Sequence, residues 1–364
     1  MTPLRFSTTS DAATAGAHAV LPVFLTSILI IALNGCSPAQ VHPVSKSGFV
    51  LDTACTMTLY DKAPADTLDK AFAILDHVNT TMTIDSKQSE LINVNDAAGE
   101  HAVQVDPELY AVIKDGLHFS RLSSGAFDIT VGPLVKLWGI GTGGDSVPPE
   151  AKIKQALSLI GYRHVVLNDA DHSVFLEHRG MMIDLGGIAK GYAGDEVQAF
   201  LEKVGVHHAL IDLGGNIVAM GSKPDGSPWR VGIQDPDLAR GSYIGVVSVT
   251  NKSVVSSGQY ERFLTYKGKN YGHILSTTNG FPIDNGITST TIIAVNGTEA
   301  DALSTSVFAL GVQKGLALVN SLPGVEAIIL TADKQVYLSN GMKDAFKITD
   351  AAYSMASPIS VPSP

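Results

Sequence analysis

The stretch TEADALSTSVFALG, residues 298–311, decides how this sequence is read. Small and apolar residues dominate it and proline is absent, so a helix is expected. At 100° per residue, Ala300, Leu303, Val307 and Leu310 form one stripe able to pack on a core. Asp301 and Thr305 lie four apart on roughly the opposite side, where their side chains are neighbours. A carboxylate and a hydroxyl on so apolar a helix are either a solvated face or a pair of oxygen donors.

The surrounding composition narrows the choice. A chain of 364 residues, 45% of them hydrophobic, suits one large domain or two interlocked ones with ample core. Only 16% of residues are charged, the formal net charge is -10 and no basic run exists, which argues against a nucleic-acid backbone as partner. An anionic ligand would need a local remedy, either a metal ion or helix N-termini.

Residues 19–33, AVLPVFLTSILIIAL, form an apolar run too short for a comfortable membrane span, with Arg5 upstream. The run ends in LNGC, residues 33–36, which resembles a bacterial lipobox with Cys36 as the lipidated residue. An ordinary secretory signal or a membrane anchor is the alternative, and in either case the folded part is expected to be exported. With Cys36 carrying lipid, Cys55 has no disulfide partner and reads as a small buried apolar residue. The expected layout is a signal peptide over 1–36, a tether over 37–47, a folded domain over 48–345 and a flexible tail over 346–364 that ends DAAYSMASPISVPSP.

Within the domain, helical and strand-like periods mix. Leu68, Ala71, Phe72, Leu75 and Val78 recur at helical spacing, Asp106 before Pro107 opens a second helix over PELYAVIKDGLHFSRL, and a third is expected over Ala189–Val204. Strands are expected at 164–167, 181–184, 208–212, 229–233, 244–250, 289–295 and 325–330. The mixture, with no repeat period, argues α+β.

Two copies of one pentapeptide stand out, IDLGG at 183–187 and again at 211–215. Each reads as a strand ending in Asp, followed by a glycine pair that allows close backbone approach. The plainer reading is two tight turns with capping aspartates. The first copy continues into GIAKGYAGDEV, a helix start able to face an anion, with Lys190 either a phosphate partner or a surface lysine. The stretch 123–141, SSGAFDITVGPLVKLWGIG, reads as loop and strand in a core, shaping an apolar slot around Phe127 and Trp138 with Asp128 as a polar anchor. SSGQYERF and NYGHI bring Tyr260, Arg262 and His273 close in sequence, and a lone histidine in so apolar a run is ordinarily structural. His207 and His208 read as surface residues, and the histidine spacings do not suggest zinc. Magnesium takes hard oxygen ligands, which Asp301, Thr305 and a glycine-turn carbonyl could supply.

Six ordered blocks, SGAFDITVGPL, IDLGGIAKGYAGD, IDLGGNI, VSSGQYERF, YGHIL and EADALSTSVFALG, resemble the ApbE family, the FAD:protein FMN transferases. The resemblance runs from about residue 48 to about residue 340. It implies a T-fold-related α+β architecture with an FAD cleft between two interlocked subdomains. It further implies an exported enzyme at the periplasmic face of a bacterial membrane. Such an enzyme uses FAD and Mg²⁺, joins FMN through a phosphoester to a threonine of a target protein, and releases AMP. Implied targets are flavoprotein subunits of membrane redox complexes and exported flavin carriers.

Carried over by position, Gly187, Asp301 and Thr305 correspond to metal ligands and His273 to the general base. Leu51, Ala126, Phe127, Asp128, Asp184, Lys190 and Ile274 correspond to FAD-site positions, with Tyr260 and Arg262 as expected neighbours. In one place the chain departs from the family, which usually reads H-I-x-D-P-x-T-G-x-P. Here HILSTTNGFP puts Ser276 and Thr277 at the Asp-Pro pair, so an altered loop after His273 is expected. The same fold with water as acceptor would be an FAD pyrophosphatase. A non-catalytic flavin-binding lipoprotein would not need the Asp301–Thr305 pair, and a solute-binding lipoprotein would show two similar lobes.

Overall fold

The apolar runs at 208–212, 289–295 and 325–330 are strands of one nine-stranded sheet, in a computed structural model that describes residues 42–357. The sheet comprises β1 (Val44–Val50), β2 (Thr53–Leu59), β3 (Ala209–Leu213), β4 (Asn216–Met220), β5 (Lys252–Gly258), β6 (Ile287–Ala294), β7 (Glu326–Thr331), β8 (Gln335–Leu338) and β9 (Ser354–Met355). Their order in space is their order in the chain. Every pairing is antiparallel except β8 with β9. Such a meander needs only local connections, and the site is built from what is inserted between its strands.

β6 shows why the sheet is central. All but one of its residues are buried, as expected of a strand covered on both faces. Ile292 joins the large core beneath the helices, whereas Ile293 joins a second core with Trp229, Ile244 and Phe346. That second core is roofed by a three-stranded sheet of Trp229–Gln234, Tyr243–Val249 and Phe346–Ile348.

The helices are α1 (Thr67–Met82), α2 (Glu90–Asp96), α3 (Pro107–Leu122), α4 (Gly132–Trp138), α5 (Glu150–Leu157), α6 (Ala189–Lys203), α7 (Gly297–Leu310) and α8 (Val312–Asn320). α1 through α6 lie in the β2–β3 insertion, which also carries a small sheet of Val103–Gln104, Val165–Asn168 and Ser173–Leu176. α3 starts where the sequence puts it, because Asp106 accepts the Glu108 N–H at 2.8 Å and Pro107 occupies the first turn. None of the described helices is long and apolar enough to cross a membrane.

Four expectations change. Residues 181–184 are not a strand. Ile183 exchanges both backbone bonds with the Asn95 amide (2.7 and 3.0 Å) and Asp184 N–H donates to Ile129 O at 2.7 Å, which leaves only an isolated bridge from Met182 to Val131. Within 123–141, residues Gly132–Trp138 form a helix, closed by Gly139 at φ 57°. The chain stays folded past residue 345, since 346–348 and 354–355 are strands and the buried Tyr353 donates its hydroxyl to Asp235 at 2.9 Å. β1 starts inside the expected tether. Cys36, the expected signal peptide and tether residues 37–41 lie outside the described residues.

Candidate active site

α7 is buried along most of its length, which settles the opening alternative for Asp301. The residue is only 3% exposed and is not a solvated face. The helix starts under two carbonyl-type caps: Asn296 Oδ1 accepts Glu299 N–H at 2.8 Å, and Asp195 of α6 accepts the N–H groups of Gly297 (2.6 Å) and Thr298 (2.8 Å). A negative charge there complements the helix dipole. α6 approaches closely because Gly191 has no side chain: a Cβ would come within 2.2 Å of Gly297 O.

This approach delivers the Gly191 N–H to Asp301 Oδ2 at 2.9 Å. From the other side Asn216, at the start of β4, donates its amide to Asp301 Oδ1 at 3.1 Å. Lys190 Nζ stands 4.0 Å from the same oxygen. The carboxyl group is thus buried and oriented by two donors, with lone pairs to spare. One turn later, Thr305 Oγ1 lies 3.3 Å from Ser257 Oγ, which is itself 2.6 Å from Ser304 Oγ. The backbone of Gly187 passes beside Thr305, whose Oγ1 is 3.4 Å from where a Gly187 Cβ would stand.

Gly187, Lys190, Asn216, Ser257, Asp301 and Thr305 line one cleft of about 540 Å³, within the range of small-molecule and cofactor sites. The cleft also brings together Leu51, Ala126, Phe127, Asp128, Asp184, Lys190, Arg262, His273 and Ile274, from four separate parts of the chain. Tyr260 is the exception among the expected residues. It does not line the cleft, packs against Gly258 instead, and burial pushes its phenol up to about 12. Leu51 and Asp52 make the β1–β2 turn with both φ at 55°, a conformation that costs a residue without glycine's freedom roughly 1–2 kcal/mol. Asp128 faces inward, but its oxygens accept Thr130 N–H (2.8 Å), Thr130 Oγ1 (2.7 Å) and Tyr162 N–H (3.0 Å), so it shapes the loop. Asp184 accepts Gly186 N–H at 2.7 Å, and burial raises its pKa above the ordinary carboxylate value.

His273 sits half-buried on the wall. Its Nδ1 is 3.2 Å from Arg262 O; a carbonyl only accepts, so Nδ1 carries the proton and Nε2 is left with a lone pair. Burial of the ring, with the positive charges of Arg262 and Lys190, pushes its pKa down to about 4. The imidazole is therefore a neutral base at pH 7.

The loop after His273, where Ser276 and Thr277 stand, is held by its own side-chain bonds. Ser276 Oγ accepts the N–H groups of Thr278 (3.2 Å) and Asn279 (3.3 Å), as a turn-capping aspartate would. Thr277 Oγ1 donates to Gly125 O at 2.7 Å and Trp138 Nε1 to Gly280 O at 2.9 Å, tying the loop to the 123–141 segment. Sequence reasoning missed Asn216, Ser257, Asp195 and Gly191. Asn216 follows the second IDLGG directly, and that adjacency was the available signal.

A buried, oriented carboxylate, a hydroxyl one turn on, a neutral imidazole and two cations around one cleft suit an anionic substrate undergoing transfer to a hydroxyl. Comparison with known proteins agrees. The model of the ApbE family matches residues 51–329. An FAD:protein FMN transferase of Treponema pallidum is 37% identical over 332 residues, covering 86% of this chain and 92% of that protein. One from Klebsiella pneumoniae is 34% identical over 313 residues, covering 85% and 96%. Among solved structures, the ApbE protein of Thermotoga maritima superimposes with a TM-score of 0.77 at 31% identity, over 84% of this chain and 99% of that one. The flavin transferase ApbE of Vibrio cholerae gives 0.75 at 26% identity with the same coverage.

Proposed function

The chain belongs to the ApbE family, and from that premise we infer that it transfers FMN from FAD to a protein acceptor. The finer reading is our proposal: the acceptor group is a threonine hydroxyl, the transfer depends on magnesium, and AMP leaves. The observation that carries it is the convergence of Asp301, Thr305 and the neutral His273 on one cleft.

The residues fit the ion. A buried carboxylate with free lone pairs, a hydroxyl and a glycine backbone carbonyl are the hard oxygens magnesium takes. Asp301, Thr305 and Gly187 would hold it, and its charge would offset that of the FAD diphosphate. His273 Nε2 takes the proton from the threonine hydroxyl as its oxygen bonds to the phosphorus on the flavin side. The bridging P–O bond breaks, and its electron pair leaves with AMP. Lys190 and Arg262 add positive charge around the substrate, and Phe127 and Ile274 offer apolar surface.

We also propose that the protein is an exported lipoprotein, lipidated at Cys36 on the periplasmic face of a bacterial membrane and acting on membrane redox subunits or exported flavin carriers. LNGC at 33–36, closing the apolar run 19–33, supports this. Cys36→Ala should abolish labelling with radioactive palmitate.

To test the transfer, the protein is incubated with FAD, Mg²⁺ and an acceptor domain containing the target threonine, and the acceptor's intact mass is followed. A gain of one FMN with equimolar AMP, lost with chelator and in Asp301→Ala, is the expected result. AMP and free FMN with an unmodified acceptor would replace the proposal with FAD hydrolysis.

A further inference from the structure

We propose that His164, Glu177 and His178 form a surface site for a first-row transition cation, zinc foremost, separate from the cleft. The spacing of these residues in sequence gives no hint of it. The small sheet creates it by pairing Val165 with Leu176, so that His164 and Glu177 flank that pair on opposite strands. Glu177 N–H donates to His164 O at 3.0 Å, and Glu177 Oε2 lies 2.8 Å from His164 Nδ1. The His178 ring follows, its centroid 4.4 Å from that of His164. One donor atom from each residue lies within 4.8 Å of the other two. Donors sharing a zinc at about 2.0–2.2 Å each stand about 3–4 Å apart, so rotation of the side chains suffices.

The backbone beneath is held firmly. Thr130 Oγ1 and Asp128 Oδ2 accept the N–H groups of Gly161 (2.8 Å) and Tyr162 (3.0 Å), which precede His164. Beyond Glu177, Gly180 at φ 89° permits a turn closed by Met181 N–H to His178 O at 3.1 Å. Neighbouring arginines are engaged elsewhere, Arg179 with Glu100 at 3.6 Å and Arg163 over the Tyr162 ring at 5.4 Å. Two imidazoles and one carboxylate suit zinc or copper, not magnesium, which prefers all-oxygen surroundings. All three residues are exposed and none lines the cleft, so water can complete the shell.

The test is isothermal titration of the protein, free of any histidine tag, with zinc chloride in millimolar Mg²⁺. One equivalent should bind, with affinity at least about 10-fold weaker in His164→Ala, His178→Ala and the shape-preserving Glu177→Gln. Asp301→Ala should bind zinc as the parent does. Absence of saturable uptake, uptake unchanged in His178→Ala, or uptake lost in Asp301→Ala would each overturn the proposal.

Discussion

The two IDLGG copies are identical in sequence and unlike in structure. The second is what its pattern suggests: β3 runs into Gly214 (φ 68°) and Gly215 (φ 102°), which turn the chain into β4 while Asp212 accepts Gly215 N–H at 2.7 Å. In the first, Met182 touches Val131 only through an isolated bridge, and neither Gly186 nor Gly187 has a positive φ. There Asp184 accepts Gly186 N–H at 2.7 Å and the chain enters α6. Both copies nevertheless end on one carboxylate. The segment after the first gives Asp301 the Gly191 N–H, and the residue after the second gives it the Asn216 amide. What the two share is a destination, and their local structure is set by the surroundings: Asn95 for one, a sheet for the other.

The largest effect should follow from breaking the first copy's route. Gly191→Ala would place a methyl 2.2 Å from Gly297 O and 2.8 Å from Asp301 Cβ, both in the buried helix α7. Separating α6 from α7 should cost about 1–3 kcal/mol of stability and leave Asp301 without its backbone donor. Transfer should fall by at least about 100-fold, roughly 2.7 kcal/mol of barrier. Gly215→Ala is the control in the second copy. It has nothing within 4 Å of its Cβ position and suffers only the torsional penalty, about 1–2 kcal/mol, with little loss of transfer. Thermal melts and initial rates on the two variants check this, and equal losses of transfer would erase the distinction.

The second route is probed at Asn216. Asn216→Ala removes the amide from Asp301 Oδ1 and leaves the turn intact. Losing a group that orients a metal-binding carboxylate typically weakens the metal about 10–100-fold. On the proposal that Asp301 holds magnesium, the Mg²⁺ concentration giving half-maximal transfer should rise accordingly, while the rate at saturating Mg²⁺ changes less.

Charge separates the copies too, because Lys190 comes with the first and the second brings only an amide. His273 is held down to about 4 by burial and by Arg262 and Lys190. As the proposed base it must be unprotonated, so activity should be present above that value and lost as pH falls through it. kcat/KM, which reports the free enzyme, should stay level well below pH 6.5 and turn down towards about pH 4. Lys190→Met should shift that descent upward. A descent centred near 6.5 in the parent would contradict the neutral, half-buried imidazole.

Much of this was legible in the sequence where local chemistry decides. Asp106-Pro107 opens α3, and α7 follows from its composition. What stayed hidden depended on distant partners. MMID has the look of a buried strand, but its hydrogen bonds go to Asn95, 88 residues away. α4 was masked by glycine and β-branched neighbours, and its reality rests on burying Leu134 and Trp138 against Leu264 and Leu275. Of the site, Asp301 and Thr305 stand out as neighbouring oxygen donors on an apolar helix, whereas Gly187 and His273 came only with the family resemblance. Asn216 beside a glycine pair reads as turn chemistry, and Tyr260 shares its sequence neighbourhood with Arg262 yet does not line the cleft.

The smallest effect lies in the loop where the chain departs from its family. Ser276 Oγ accepts two backbone N–H groups at 3.2 and 3.3 Å, the task an aspartate at that position would perform. Ser276→Asp should therefore leave stability and transfer within about twofold of the parent, with the carboxylate taking over both bonds. Ser276→Ala frees those donors near solvent and should cost about 0.5–1.5 kcal/mol. Thr277→Val is a separate measure. It removes the 2.7 Å bond to Gly125 O that couples this loop to the Ala126–Asp128 wall, and should raise the KM for FAD more than it lowers kcat. If Thr277→Val lowers kcat alone, the loop acts on His273 rather than on the flavin wall.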